Sequence, residues 1–225
     1  MATIVFVLST GRTGTKKLAD YIVKHCDAQI AVDHQVGISQ VMNMLANMRY
    51  AGFLPVQPLI SHAVRRLIKS RSTGDCYINC DPLLSFCLPW VDFSGFDVRF
   101  LHIVRTDEDF ARSMINWQFS RPKSFVAHNL VAFWQPGLWP LQHLMHGFDK
   151  QYLLQTYKSI WRVKNDLFES TFKEHARYLK VEFKDLYGTE EPVFLQVVDF
   201  MGIAVDFIPD EFYQKVNASS ARFIA

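Results

Sequence analysis

The chain lacks several features that would assign it quickly. No apolar run is long enough to cross a bilayer. Ile4 to Leu8 is too short for a secretory leader and no basic region precedes it. The four cysteines (Cys26, Cys76, Cys80, Cys87) include no Cys-x-x-Cys pair and no companion His cluster for zinc, so they read as free, buried thiols of a reducing cytoplasm. Net charge is only +2, too small for a broad nucleic-acid-binding surface; any anion recognition is local. Glycine-rich signatures of the common nucleotide folds are also missing. The stretch Ser9-Thr-Gly-Arg-Thr-Gly-Thr-Lys16 has two residues between its glycines, not four, and no Gly-Lys-Ser/Thr; nor is there a Gly-x-Gly-x-x-Gly.

What is present points to one α/β domain spanning 1–225, with apolar residues at 49% and charged residues at 20%. Strand signals fall at Ile4–Leu8, Gln29–Val32, Cys76–Asn79, Val98–Val104 and Tyr178–Phe183. Helical periodicity covers Gly14–His25, Ile38–Met48, Leu59–Ser70, a short Leu83–Val91, Glu108–Phe119, Lys150–His175 (broken once) and Pro192–Met201. Alternation of this kind predicts a mostly parallel sheet with helices on both faces. Ligands then bind beyond the carboxyl ends of the strands. The piece from about 119 to 146, rich in Trp, Phe and Pro, reads as an irregular insertion, a lid or an acceptor-binding element. Its His128, Trp134, Trp139, His143 and His146 make a poor metal set, and no metal is expected. The aromatic residues there line a pocket or pack beneath a long loop. Arg65, Arg66, Lys69 and Arg71 form a basic helix face, solvated or open to an anionic acceptor.

The segment from Thr3 to Lys16 is the most specific. An apolar strand meets a turn with Gly11 and Gly14 and four hydroxyls, and a helix follows. Glycines let backbone N–H groups close on an anion, and the helix start favours negative charge. Arg12 and Lys16 add positive charge. The alternative is an ordinary tight strand-to-helix turn. A second basic site combines Arg105, at the end of the fourth strand, with Ser113, eight residues on and about two turns into the next helix. A guanidinium fork and a hydroxyl can grip one phosphate; otherwise Arg105 pairs with Asp107 or Asp109.

In order and spacing these stretches resemble the sulfotransferase family. Ser9 to Lys16 is similar to its 5′-phosphosulfate loop. Phe100-Leu-His-Ile-Val-Arg-Thr-Asp-Glu-Asp-Phe-Ala-Arg-Ser113 looks like its 3′-phosphate motif. Leu179-Lys-Val-Glu-Phe-Lys-Asp-Leu186 with Phe200-Met-Gly-Ile203 resembles its late strand and closing helix. The resemblance implies a phosphate-loop NTPase-like sulfotransferase fold and a donor, 3′-phosphoadenosine 5′-phosphosulfate (PAPS, product PAP). Its sulfuryl group would pass to a hydroxyl or amine of a small-molecule or glycan acceptor. It further implies that Gly11, Arg12, Thr13, Gly14, Thr15 and Lys16 hold the 5′-phosphate, with Arg12 catalytic, and that Arg105 and Ser113 hold the 3′-phosphate. Candidate bases are Asp33, His34 and Asp81; the alternatives for the two aspartates are a helix cap and an Asp-Pro turn. The family's late Arg-Lys-Gly loop is missing, and Ser219, Ser220 or Arg222 in the tail stand as substitutes or as a frayed terminus. The rival functions are a variant small-molecule kinase and a non-catalytic module that binds a nucleotide or sulfated ligand.

Overall fold

A computed structural model describes residues 2–26, 29–146, 148–188, 191–205 and 212. Five strands, β1 (Thr3–Leu8), β2 (Ile30–Asp33), β3 (Cys76–Asn79), β4 (Asp97–Val104) and β5 (Tyr178–Glu182), form one parallel sheet in the order β2-β3-β1-β4-β5. Between β1 and β2 lies α1 (Thr15–His25). Helices α2 (Ser39–Tyr50) and α3 (Gln57–Arg71) separate β2 from β3, and a short α4 (Pro82–Ser85) follows β3. After β4 come α5 (Asp107–Ser120), α6 (Pro122–Leu130), α7 (Gln142–Met145) and α8 (Lys150–Phe172). A short α9 (Phe183–Leu186) and α10 (Glu191–Met201) close the described order.

The strand sequences explain why both faces are covered. In β1, Val5 and Val7 point to one side and Ile4, Phe6 and Leu8 to the other, as a period of two requires. Val5 and Val7 pack with Leu18 and Ile22 of α1 and Phe194 and Val197 of α10. Ile4, Phe6 and Leu8 pack with Met42 of α2, Val64 of α3 and Phe168 of α8. Both faces being apolar, the central strands read as near-continuous hydrophobic runs. A third cluster, with Phe110 and Met114 of α5 against Tyr157 and Ile160 of α8, builds a shelf beside the sheet. The α5 helix starts cleanly: the Thr106 hydroxyl accepts from the Asp109 amide at 3.2 Å, and Asp107, Glu108 and Asp109 oppose the helix dipole.

The structure departs from expectation in the connections. The 119–146 piece is not irregular throughout, because Pro122 opens α6 at its first position, where its missing N–H costs nothing. The α8 helix runs unbroken from Lys150 to Phe172, capped by Asp149, whose carboxylate accepts from the Tyr152 amide at 2.7 Å. The Leu83–Val91 region is split into α4 and a 3-10 turn at Leu88–Trp90, each with a proline in its first two positions. The last strand stops at Glu182, one residue early, and Phe183 turns into α9.

Candidate functional site

β1 is central, with its neighbours departing to opposite sides, so the loop at its carboxyl end sits at the point where the winding direction reverses. Three residues of that loop have left-handed backbone: Gly11 (φ 94°), Arg12 (φ 59°) and Gly14 (φ 74°). For Arg12 such a conformation carries a cost of about 1–3 kcal/mol and is kept only where the surroundings enforce it. Several contacts do so. The buried Ser9 and Thr13 hydroxyls share a hydrogen bond at 2.5 Å, and the Gly11 amide donates to Ser9 Oγ at 2.9 Å. The Tyr187 hydroxyl donates to the Gly14 carbonyl at 2.8 Å. A Cβ at Gly14 would come within 2.7 Å of the Tyr187 ring, so the position admits glycine on both counts. α1 begins here with no side-chain cap and no acid in its first turn, leaving its leading amides directed at the loop.

Arg12 reaches out of this loop to α5, donating through Nε to Ser113 Oγ at 3.0 Å. Arg105, leaving β4, donates through Nη1 to the Arg12 carbonyl at 3.2 Å. The structure thus brings together Gly11, Arg12, Thr13, Gly14, Thr15, Arg105 and Ser113, although Arg12 and Ser113 are 101 residues apart. Arg105 is held from two sides: its guanidinium lies 5.0 Å from the Phe183 ring centre, and its carbonyl accepts from Trp161 Nε1 at 2.8 Å. Its Nε is buried with no partner among the described residues. Burial, then Arg105, then Arg121 all make Arg12 harder to keep charged. Arg105 is likewise lowered by burial and partly restored by Asp109.

Lys16 is placed differently. Its side chain is exposed and paired with Asp20 one turn on at 2.5 Å, so its Nζ serves its own helix. The three base candidates also separate. Asp33 accepts from the Tyr77 hydroxyl at 3.0 Å and pairs with Arg71 Nε at 3.1 Å. Asp81 is fully buried: Oδ1 caps α4 through the Leu83 amide at 2.9 Å, while Oδ2 accepts from the Val36 amide at 2.9 Å and from the Ser39 hydroxyl. The sequence offers a turn at this Asp-Pro step and a helix cap at Asp33; the structure gives the cap to Asp81. His34 is half-buried; burial lowers its basicity, Asp81 acts against that, and the Lys16 ammonium adds to it. His34 therefore stands close to both the β3 end and the start of α1. Ser219, Ser220 and Arg222 lie outside the described residues.

Sequence reasoning missed Arg121 and Tyr187. Arg121 joins α5 to α6 and lies near enough to Arg12 to act on its charge. It directly follows Ser120 at the end of α5, and a basic residue eight positions beyond Ser113 was the available signal. Tyr187 shapes the glycine loop from 173 residues away, which no local pattern announces.

All four cysteines are without disulfides, and among the described residues no helix is long and apolar enough to cross a membrane. The sequence matches no family model and no curated protein. Solved structures do match it. A sulfotransferase from Alicyclobacillus acidocaldarius aligns over 96% of this chain and 87% of its own, with a TM-score of 0.52 and 14% identity. A sulfotransferase domain from the curacin biosynthetic pathway aligns over 96% of this chain and 79% of its own, with a TM-score of 0.49 and 13% identity. With its five-stranded parallel sheet and covering helices, the chain has a sulfotransferase-like α/β fold.

Proposed function

We propose that the protein is a sulfotransferase that moves the sulfuryl group of PAPS to a hydroxyl or amine of a small-molecule or glycan acceptor in the cytoplasm, with no nucleic-acid partner. The observation that carries this reading is the arginine cluster. Arg12, half-buried and hydrogen-bonded to Ser113, has Arg105 against its backbone and Arg121 nearby, and its charge is opposed on every count. Like charges gathered beside a glycine turn and a helix start are stabilised by a multiply charged anion. A nucleotide with separate 5′ and 3′ phosphates gives each arginine an oxygen to bind. The amides of Gly11 to Thr15 hold the 5′ end and Arg105 with Ser113 the 3′ end.

In the transfer, an acceptor oxygen attacks sulfur and forms the new S–O bond. The bond from sulfur to the phosphate bridging oxygen breaks with its electron pair, and PAP leaves. Arg12 stabilises the charge that builds on that oxygen. The acceptor proton goes to His34. Burial keeps that ring neutral and able to accept, whereas both Asp81 oxygens are committed to Ser39 and backbone amides, and Asp33 Oδ2 is committed to Tyr77 and Arg71.

The test is formation of PAP from PAPS by the native protein, Arg12→Ala and His34→Ala across sugars, phenols, alcohols and amines. The reading expects turnover with at least one class, abolished by Arg12→Ala. Transfer by Arg12→Ala at the native rate contradicts it. The engagement of both aspartates also favours a second reading, a non-catalytic binder, whose mark is PAP binding with no turnover on any acceptor.

A further inference from the structure

Acidic residues are unevenly placed along this chain. None of its 22 aspartates and glutamates falls within 34–74 or within 110–148. The same two stretches hold most of the apolar side chains left in water. Thirteen of the fifteen large apolar side chains exposed among the described residues lie at 38–59 or 119–145; Val23 and Leu195 are the other two. Single exposed apolar residues need no explanation, but a contiguous patch does.

Ring contacts join the two stretches into one face. The Phe53 ring, just beyond α2, lies 5.8 Å centre to centre from Phe133, and Phe133 lies 5.7 Å from Trp139. The Asn43 amide group of α2 also donates to the Trp134 carbonyl at 2.8 Å. The Leu141 amide donates to the Asn129 carbonyl at 2.6 Å, which sets the start of α7 beside the end of α6. The face so formed turns Phe53, Leu54, Leu130, Trp139, Leu141 and Met145 to solvent, with Trp139 59% and Met145 82% exposed. Phe133 (φ 58°) and Leu141 (φ 62°) both hold left-handed backbone, which is costly for bulky side chains. Leu141 thus keeps a strained backbone while its side chain stays in water, an arrangement that packing alone does not reward.

The cations beside this face have no carboxylate partners. Along α6, Lys123, Val126 and Leu130 follow at spacings of three and four, so one ammonium and two exposed apolar side chains share a helix face. Arg121 stands at the start of that helix, and Arg49 lies in the last turn of α2, shortly before Phe53. Arg49 donates to the neutral Gln57 side chain, and neither Arg121 nor Lys123 forms an ion pair among the described residues. Asp149, the acid that ends the second stretch, is engaged as the cap of α8.

Charge selects the occupant. A second copy meeting this face across a twofold axis sets the same unpaired cations against one another. A bilayer with anionic headgroups matches both features: the acyl boundary takes Trp, Leu and Met side chains, and the headgroups take Arg and Lys. No helix among the described residues is long and apolar enough to cross a membrane, so the contact is peripheral.

We propose that the α6–α7 face, together with Phe53 and Leu54, docks on an anionic lipid surface. This stands apart from the donor reading, since no part of it depends on PAPS. The test sediments the 225-residue protein with vesicles of phosphatidylcholine alone and of phosphatidylcholine containing about one third phosphatidylglycerol. The protein partitions onto the anionic vesicles about tenfold more strongly than onto the neutral ones, and molar salt removes most of that difference. Met145→Ser, at a position 82% exposed, keeps the native melting temperature and weakens partitioning about tenfold. Trp139→Ser acts in the same direction, and Lys123→Glu weakens binding to the anionic vesicles alone, about tenfold. Lipids brominated in their acyl chains quench the native tryptophan emission and quench Trp139→Phe far less, because the other four tryptophans are half-buried. The proposal is overturned if no vesicle retains the protein, if neutral vesicles hold it as tightly as anionic ones, or if partitioning is indifferent to both Met145→Ser and Trp139→Ser. A dimer in solution that Met145→Ser dissociates also overturns it, because the face then belongs to a second copy.

Discussion

Gly14→Ala probes the geometry on which the site depends. Gly14 holds φ at 74° and sits under the Tyr187 ring, which a Cβ would approach to 2.7 Å. Forcing alanine into left-handed backbone costs roughly 1–2 kcal/mol. The Tyr187 ring is a buried, packed group rather than a free side-chain end, so it must shift, and its bond to the Gly14 carbonyl, worth about 1 kcal/mol, is lost or stretched. The sum is about 2–4 kcal/mol, and for a chain of this size each kcal/mol moves the midpoint by about 2–4 °C, giving a fall of roughly 5–15 °C. Calorimetry of the native protein, Gly14→Ala and Tyr187→Phe measures it. Tyr187→Phe keeps the ring and loses only the hydroxyl, so it drops by a smaller amount, near 1 kcal/mol. PAP affinity also falls in Gly14→Ala at temperatures where the protein is folded, because the loop amides no longer converge. A Gly14→Ala protein that melts within a degree of the parent refutes the argument.

Arg105→Ala weakens PAP binding at least tenfold by calorimetry and lowers stability by only about 1 kcal/mol, the size of the lost Nη1 bond to the Arg12 carbonyl. Arg121→Ala, at an exposed position, weakens PAP severalfold and lowers the salt dependence of binding. Asp81→Asn destabilises by about 1–3 kcal/mol in chemical denaturation, because the amide nitrogen cannot accept from the Val36 amide, the Ser39 hydroxyl and the Leu83 amide together. Buried His102, bonded to Tyr178 and Asn165, is lowered to about 4 from its ordinary 6.5. The unfolded chain thus binds the extra proton between those values, so the contribution is intact above about pH 6.5 and is lost as pH falls towards 4. The slope is up to about 1.4 kcal/mol per pH unit, and His102→Gln flattens it.

The sheet was legible because its signals are local. Buried parallel strands must be continuous apolar runs, and Cys76–Asn79 and Val98–Val104 announce themselves that way. The glycine loop was legible because strand, turn and helix start follow one another within fourteen residues. The insertion was not, because α6 and α7 bury polar residues such as Ser124, His128, Asn129 and His143 in place of an apolar stripe, which removes the periodicity used to find helices. Nor could spacing rank the three base candidates. The Asp33 pairing with Arg71 spans two elements, and Asp81 meets Ser39 across 42 residues. Such partnerships exist only after folding, and they decide which oxygen or nitrogen is left to take a proton.

The central claim, that two cationic places bind the two ends of one nucleotide, is tested most directly by titrating PAP and AMP into the native protein and Arg105→Ala. A charge-assisted grip on the 3′-phosphate predicts that PAP binds the native protein about tenfold or more tighter than AMP, and that Arg105→Ala removes most of this difference while leaving AMP affinity nearly unchanged. Equal affinities for PAP and AMP in the native protein would contradict it.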